Sequence, residues 1–182
     1  AGVRVKSGSL ASGTLAVPAK DGVGTEIPYT VIHGAKPGRV LALVAGVHAF
    51  EYPPILALYR LKTMIDPAAL RGTVLMVHIA NLPSFKRRTI YYGPDDWKNL
   101  NRVFPGDPAG TLSQRIAAAL DTEIVRRADP DAPPGLVRRA VRVVRATRSH
   151  PDVRVGSSVR GAIDLVVVAD RLGRLRDTPA ID

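Results

Sequence analysis

Two apolar runs of strand length, with a helix-like segment between them, limit the folds that are open to this chain. The runs are RVLALVAG (Arg39–Gly46) and RGTVLMVHIAN (Arg71–Asn81), and the segment between them is PPILALYRLKTMI (Pro53–Ile65). Continuous apolar runs are typical of strands that are covered on both faces, and Pro suits the first turn of a helix. We therefore predict a strand–helix–strand unit in which Val40–Ala45 and Val74–Ile79 are buried strands.

Other segments extend this alternation of strands and helices. GTLAVPA (Gly13–Ala19) and EIPYTVIHG (Glu26–Gly34) have strand patterns and flank the turn-forming KDGVG. Thr111–Ala128 has apolar residues at helical spacing and Ser113 as a candidate cap. This order of elements predicts an α/β fold with a mainly parallel or mixed sheet and helices on both faces.

Three further segments complete the predicted organisation. Leu82–Gly110 is predicted to be a long polar connection, and connections of that length are usually functional. Leu136–Arg148 is compatible with a basic helix, and Gly161–Asp170 with another buried strand. The 182 residues suit a single compact domain.

Composition narrows the class of protein. The chain has no cysteine, which excludes disulfides and thiolate chemistry. No apolar run reaches the length of a membrane span, and the N-terminus lacks the apolar segment of a signal peptide, so we expect no membrane partner and a cytoplasmic location, with export after signal cleavage left open. The net charge of +10 is compatible with nucleic acid, with small carboxylates or with a solvated basic surface.

His48 and Glu51 are candidate metal ligands. They follow Gly46, where a buried strand is predicted to end and a helix to begin. Ligands of α/β sheets bind outside the carboxyl ends of the strands, and imidazole nitrogen and carboxylate oxygen both suit zinc. The alternative is structural, because a carboxylate at the start of a helix is favoured by the helix dipole alone.

Asn101 and Arg102 are candidate substrate-binding residues in the long connection. A guanidinium beside an amide suits a carboxylate, which Arg binds through two parallel hydrogen bonds. The alternative is a turn Asn followed by an ordinary surface Arg. His33 and His78 lie within strand patterns with no second ligand at metal spacing, so we predict that both are structural.

Three stretches together resemble the succinylglutamate desuccinylase/aspartoacylase family of the zinc carboxypeptidase clan. They are GVHAFE, IANLPSFKRRTIYY and NLNRVFPGDPAGT, in that order, within about Val40 to Ala128. The resemblance implies a carboxypeptidase-like fold and a Zn²⁺-dependent hydrolase. It also implies a small-molecule N-acyl substrate that carries a carboxylate.

The resemblance assigns roles to several residues. His48 and Glu51 match the first two zinc ligands, and Asn101 and Arg102 match the clamp for the substrate carboxylate. Arg88 matches a further basic residue that contacts the substrate or the developing oxyanion. Two positions depart from the family pattern and neither is a ligand position: Ala49 replaces the usual Gly, and Asn99 replaces the usual Asp.

The resemblance ends near Asp129, where the composition also changes. The last 54 residues contain no Lys, Glu, Asn, Gln, Met or aromatic residue. The family's third zinc ligand, a His after a further strand, has no counterpart here; His150 is the only downstream candidate. The family's catalytic Glu also has no counterpart, because no Glu follows Glu123. The C-terminal part of the fold is therefore expected to be incomplete, and residues 129–182 are interpreted as frame-shifted or partly disordered.

Three functional hypotheses follow. The first is a zinc-dependent deacylase with His48, Glu51, Asn101 and Arg102 in one cleft. The second is a catalytically inactive fragment of such an enzyme that binds metal weakly through two ligands. The third and least favoured is a basic nucleic-acid-binding module, supported only by net charge and by the Arg-rich stretch Arg138–Arg154.

Overall fold

The computed structural model describes residues 4–128 and 134–149 of the chain. The elements in chain order are β1 (Ser9–Lys20), β2 (Val23–His33), β3 (Lys36–Val44), α1 (Tyr52–Met64), β4 (Arg71–Val77), α2 (Leu82–Arg87), a 3₁₀ turn (Leu100–Arg102), α3 (Leu112–Ala128) and α4 (Pro134–Ser149). The chain divides into two compact units, Ala1–Ala119 and Leu120–Asp182. That all of it forms a single domain stays a prediction.

Strands β1 and β2 form an antiparallel hairpin with a two-residue turn. Lys20 pairs with Val23, and the two residues between them, Asp21 and Gly22, have φ values of +53° and +77°. Asp-Gly is a preferred sequence for such a turn, because both central residues must adopt positive φ. The hairpin was predicted from KDGVG and is confirmed.

The sheet is mixed and has the strand order β1-β2-β4-β3. The pairs β1/β2 and β2/β4 are antiparallel, and β3/β4 is parallel. The α1 helix connects the two parallel strands, so the predicted strand–helix–strand unit and the mixed α/β fold are confirmed. The run Val74–Ile79 is buried as predicted, although the strand itself ends at Val77.

The prediction that Val40–Ala45 is a fully buried strand is wrong. In the sheet that the described residues form, β3 pairs only with β4 and is an edge strand. Leu41 is 55% exposed and Val44 is 40% exposed, whereas Ala45 is buried. An apolar run indicates a strand, but the order of pairing decides whether that strand is central.

The core of this sheet lies between β2, β4 and the inner face of α1. Its buried members are Ile32, Ala45, Ile55, Leu58, Val74, Met76 and Ile79. On α1 the apolar residues Ile55 and Leu58 are three positions apart, which places both on one helical face. Proline in the first turn suits the start of α1, since the N–H groups there have no partner within the helix.

The connection from Leu82 to Gly110 contains more structure than predicted. Helix α2 begins at Leu82 because the Asn81 side chain accepts a hydrogen bond from the backbone N–H of Ser84 (3.3 Å).

The predicted basic helix Leu136–Arg148 lies within α4 and is confirmed. The predicted strand Gly161–Asp170 lies outside the described residues. None of the helices in the described part of the chain is long and apolar enough to cross a membrane.

Candidate active site

The turn after β3 carries the first half of the candidate site. Gly46 has a φ of +68°, and a Cβ there would lie 2.9 Å from the Cα of Ile79. Glycine is therefore needed where the chain leaves the strand. The backbone N–H of Glu51 donates to the carbonyl oxygen of His48 (3.1 Å), which closes a turn immediately before α1. This turn follows the carboxyl end of β3, where ligands of α/β sheets bind.

The side chains of His48 and Glu51 contact each other. The distance from His48 Nδ1 to Glu51 Oε1 is 3.0 Å, and the two side chains are 18% and 48% exposed. Glu51 precedes α1 but makes no capping hydrogen bond with its side chain. Its carboxylate is therefore directed at the imidazole and not at the helix.

Asn99 contacts the other nitrogen of His48. Its Oδ1 lies 3.1 Å from His48 Nε2 and also accepts the backbone N–H of Asn101 (2.9 Å). A backbone N–H can only donate, so this contact identifies the side-chain atom of Asn99 as the oxygen. His48 must then carry its hydrogen on Nε2 in order to bond with Asn99.

The remaining nitrogen of His48 can then share a cation with Glu51. When the hydrogen of a neutral imidazole is on Nε2, Nδ1 carries a lone pair. In His48 this lone pair faces Glu51 Oε1 at 3.0 Å. Two acceptor atoms at this distance are stabilised by a proton or a metal ion between them. Zinc bonds of about 2.0–2.2 Å in tetrahedral geometry place two ligand atoms roughly 3.3 Å apart, so this pair fits zinc.

A third protein ligand is not found among the described residues. Within residues 4–128 and 134–149, no group of three or more His, Cys, Asp or Glu side chains is placed to hold a metal ion. His150, the predicted third candidate, lies outside these ranges. The metal-ligand roles of His48 and Glu51 stay predictions.

Asn99 connects Asn101 and Arg102 to His48, because its side-chain oxygen contacts both His48 Nε2 and the backbone N–H of Asn101. Asn101 and Arg102 belong to the 3₁₀ turn Leu100–Arg102, and the backbone N–H of Arg102 donates to the carbonyl oxygen of Asn99 (2.9 Å). Both are exposed. The structure therefore links the two predicted pairs across about 50 residues of sequence, whereas their role in substrate binding stays a prediction.

Arg88 lies at the end of α2 and is exposed, with a left-handed backbone at φ +56°. Among the described residues, no hydrogen bond joins its side chain to His48 or Arg102. Its role as a further substrate contact stays a prediction.

Asp96 fixes the loop that carries Asn99. Its carboxylate accepts the backbone N–H and the hydroxyl of Ser113, both at 2.8 Å. Burial raises the pKa of Asp96, but hydrogen bonds from Ser113, Thr111 and Lys98 outweigh it, and the net effect lowers the pKa below its ordinary value. The prediction that Ser113 caps α3 is therefore wrong: Asp96 accepts from the first turn, and Gln114 accepts the N–H of Thr111 (3.1 Å).

The Tyr91 ring packs against both His48 and Phe50, a contact that the sequence analysis did not predict. The Tyr91 ring meets His48 edge-on at a centroid distance of 5.2 Å and meets Phe50 at 5.5 Å. Both aromatic residues are exposed. Tyr91 lies in the family-like stretch IANLPSFKRRTIYY, but no sequence pattern predicts its contact with His48, because that contact is made between two loops.

His33 and His78 make hydrogen bonds within the sheet, as predicted for structural histidines. His33 Nδ1 lies 2.8 Å from Thr73 Oγ1, and His78 Nε2 lies 2.8 Å from Thr30 Oγ1. His78 is 3% exposed and stacks on Tyr59 at 4.4 Å. Burial, and to a lesser extent the charge of Lys62, lowers the pKa of His78 below 6.5.

This pKa shift predicts a loss of stability in acid. Protonation would make both ring nitrogens donors, and Nδ1 of His78 has no hydrogen-bond partner among the described residues. The unfolded chain therefore takes up this proton more readily than the folded chain. The contribution to the free energy of unfolding is complete above about pH 6.5 and falls by up to about 1.4 kcal/mol per pH unit below it.

Denaturant unfolding of the wild type and His78→Gln between pH 5 and pH 8 measures this effect. The difference between the two proteins should change with pH only on the acid side. His33→Gln is the control and should keep the acid-side loss, because it retains His78. Parallel pH profiles for the wild type and His78→Gln would contradict the prediction.

Solved structures share this α/β fold. A succinylglutamate desuccinylase/aspartoacylase from Rhodobacter sphaeroides superimposes with a TM-score of 0.61 at 30% identity, over 70% of this chain and 41% of the other. The product-bound ectoine utilization protein EutE (DoeB) from Ruegeria pomeroyi gives 0.58 at 31% identity, over 66% and 37%. The mixed α/β fold of this chain is thus one found in solved structures of this kind of protein.

The chain belongs to the succinylglutamate desuccinylase/aspartoacylase catalytic domain family, whose model matches residues 37–132, more than half of the chain. It is 36% identical over 105 residues to the N-alpha-acetyl-L-2,4-diaminobutyric acid deacetylase of Halomonas elongata. That alignment covers 57% of this chain and 30% of the deacetylase. The chain thus spans less than half the length of these relatives.

Proposed function

We propose that this protein is a zinc-dependent hydrolase that removes an acyl group from an N-acyl amino acid or a related small molecule. One contact carries the proposal. His48 Nδ1 and Glu51 Oε1 lie 3.0 Å apart, while Nε2 of the same ring is occupied by Asn99. Such a pair of acceptors is stabilised by a cation, and family membership supplies the class of reaction.

The residues of the site have complementary roles in this proposal. Zinc bound there would polarise the acyl carbonyl and lower the pKa of a water molecule. Arg102 and Asn101 hold the carboxylate of the substrate and so fix the scissile bond beside His48 and Glu51. Arg88 adds a positive charge on the substrate side. No residue of this chain is assigned as the general base.

The substrate is proposed to be small, N-acylated and negatively charged at a carboxylate. The Halomonas relative is named for an acetylated diamino acid, which supports an amino-acid substrate. The exposed guanidinium of Arg102 suits a carboxylate better than a neutral group. The acyl group is left to experiment.

The test combines metal analysis with hydrolysis of matched substrates. The purified chain, loaded with zinc, is given N-acetyl-2,4-diaminobutyrate, N-succinylglutamate and an N-acyl aspartate, each beside its carboxamide analogue. We expect release of the free amine from at least one acid, a rate at least about tenfold lower for its carboxamide, and loss of activity after chelation. Zinc binding without hydrolysis of any substrate would contradict the hydrolase proposal.

A second candidate function is that of an inactive family member that only binds metal. It is favoured by the finding that the described residues supply two metal-ligand candidates and not three. A nucleic-acid-binding role is supported only by the net charge of +10 and by the Arg-rich sequence Arg138–Arg154. Salt-dependent binding to DNA would identify that third alternative.

A further inference from the structure

We propose that Asn99 is a positioning residue that orients His48 and joins it to the Asn101–Arg102 turn. This inference rests on the proposed zinc site but can be tested without it. A single oxygen, Asn99 Oδ1, lies 3.1 Å from His48 Nε2 and 2.9 Å from the backbone nitrogen of Asn101. It is the only described atom that bonds to both halves of the candidate site.

The backbone of Asn99 is held in place by other contacts. The residue forms an antiparallel bridge with Tyr92, and its carbonyl oxygen accepts the N–H of Arg102 (2.9 Å). The preceding loop is anchored by Asp96 to the first turn of α3. Because the N–H of Asn101 also holds the side-chain oxygen, Asn99 presents His48 with an acceptor in a fixed position.

The hydrogen bond from His48 decides which ring nitrogen is available to a metal. While Nε2–H donates to Asn99, Nδ1 keeps its lone pair and is directed toward Glu51. Partners of this kind fix the tautomer and the orientation of a metal-binding histidine. Asn99 supplies the oxygen without a negative charge, so it orients the ring but strengthens the ligand less than a carboxylate would.

Three substitutions separate this role from helix capping. Asn99→Asp keeps an oxygen for both His48 and Asn101. Asn99→Ser keeps a cap for the N–H of Asn101, since Ser caps about as well as Asn, but is one atom too short to reach His48. Asn99→Ala loses both contacts.

The first measurement is zinc affinity of the full chain by competition with a chromophoric chelator. We expect Asn99→Ser and Asn99→Ala to weaken zinc binding by about 10–100-fold, and Asn99→Asp to bind at least as tightly as the wild type. A purely structural capping role would instead leave Asn99→Ser equal to the wild type.

The second measurement is exchange of the His48 Nε2–H with water in the metal-free protein, observed by ¹⁵N-edited NMR. The signal should be protected in the wild type and in Asn99→Asp and lost in Asn99→Ser. Equal protection in the wild type and Asn99→Ser would overturn the positioning role, whatever the zinc affinities are. A third result would separate the two proposals. If the wild type bound no zinc but protection of the His48 Nε2–H still depended on Asn99, the proposed metal would be rejected and the positioning role would be retained.

Discussion

His48→Ala is expected to abolish zinc binding by this chain, whereas Arg102→Ala should leave it intact. The described residues offer two candidate ligand atoms, His48 Nδ1 and Glu51 Oε1. Loss of the imidazole leaves one carboxylate that is about half exposed. Such a group competes poorly with water for the ion. We expect the zinc affinity to fall by more than about 100-fold, which exceeds the loss caused by removing a residue that only hydrogen-bonds to a metal ligand.

Arg102→Ala is the matched control because Arg102 lies in the same site but cannot ligate a cation. Zinc content after dialysis and competition titration should both distinguish the two variants, and circular dichroism should show that both are folded. If both variants lost zinc equally, or if neither did, the separation between metal-binding and substrate-binding residues would be wrong.

Ile32→Ala should destabilise the sheet by about 2–5 kcal/mol. Ile32 is fully buried in the cluster between β2, β4 and α1. The loss combines the transfer of the removed carbon atoms to water with the cavity that remains. Urea unfolding followed by circular dichroism measures the change.

Leu41→Ala is the comparison for this effect. Leu41 lies on β3 and is 55% exposed, so its truncation should change the free energy of unfolding by about 0.5 kcal/mol or less. Equal losses for the two variants would mean that β3 is covered in solution. In that case the description of β3 as an edge strand would not hold for the protein in solution.

Local sequence patterns predicted the strands and helices of the fold, but not which strands pair with each other. The strands β2 and β4 and the helix α1 could be predicted because residues a few positions apart define the period of each element. The burial of β3 was predicted wrongly because the strand order β1-β2-β4-β3 depends on pairing between distant segments. No period within an eight-residue run carries that information.

The candidate site shows the same division. His48 and Glu51 could be paired from sequence because they are three positions apart in a single turn. The contact of Asn99 with His48 spans 51 positions, and the contact of Asp96 with Ser113 spans 17. Such contacts depend on how loops fold onto one another. Asn99 was marked by its departure from the family's Asp, and Tyr91 by its place in a family-like stretch, but neither mark predicted a contact with His48.

The tight hairpin between β1 and β2 has a consequence for the order in which the molecule assembles. A two-residue turn brings its strands together with little loss of chain entropy. The parallel pair β3/β4 needs the whole of α1 between them, and the contact between His48 and Asn99 needs a larger loop still. We infer that the hairpin is an early scaffold and that the chemistry of the site is among the last features to appear. A partly folded chain would then contain much of the sheet before the residues of the candidate site come together.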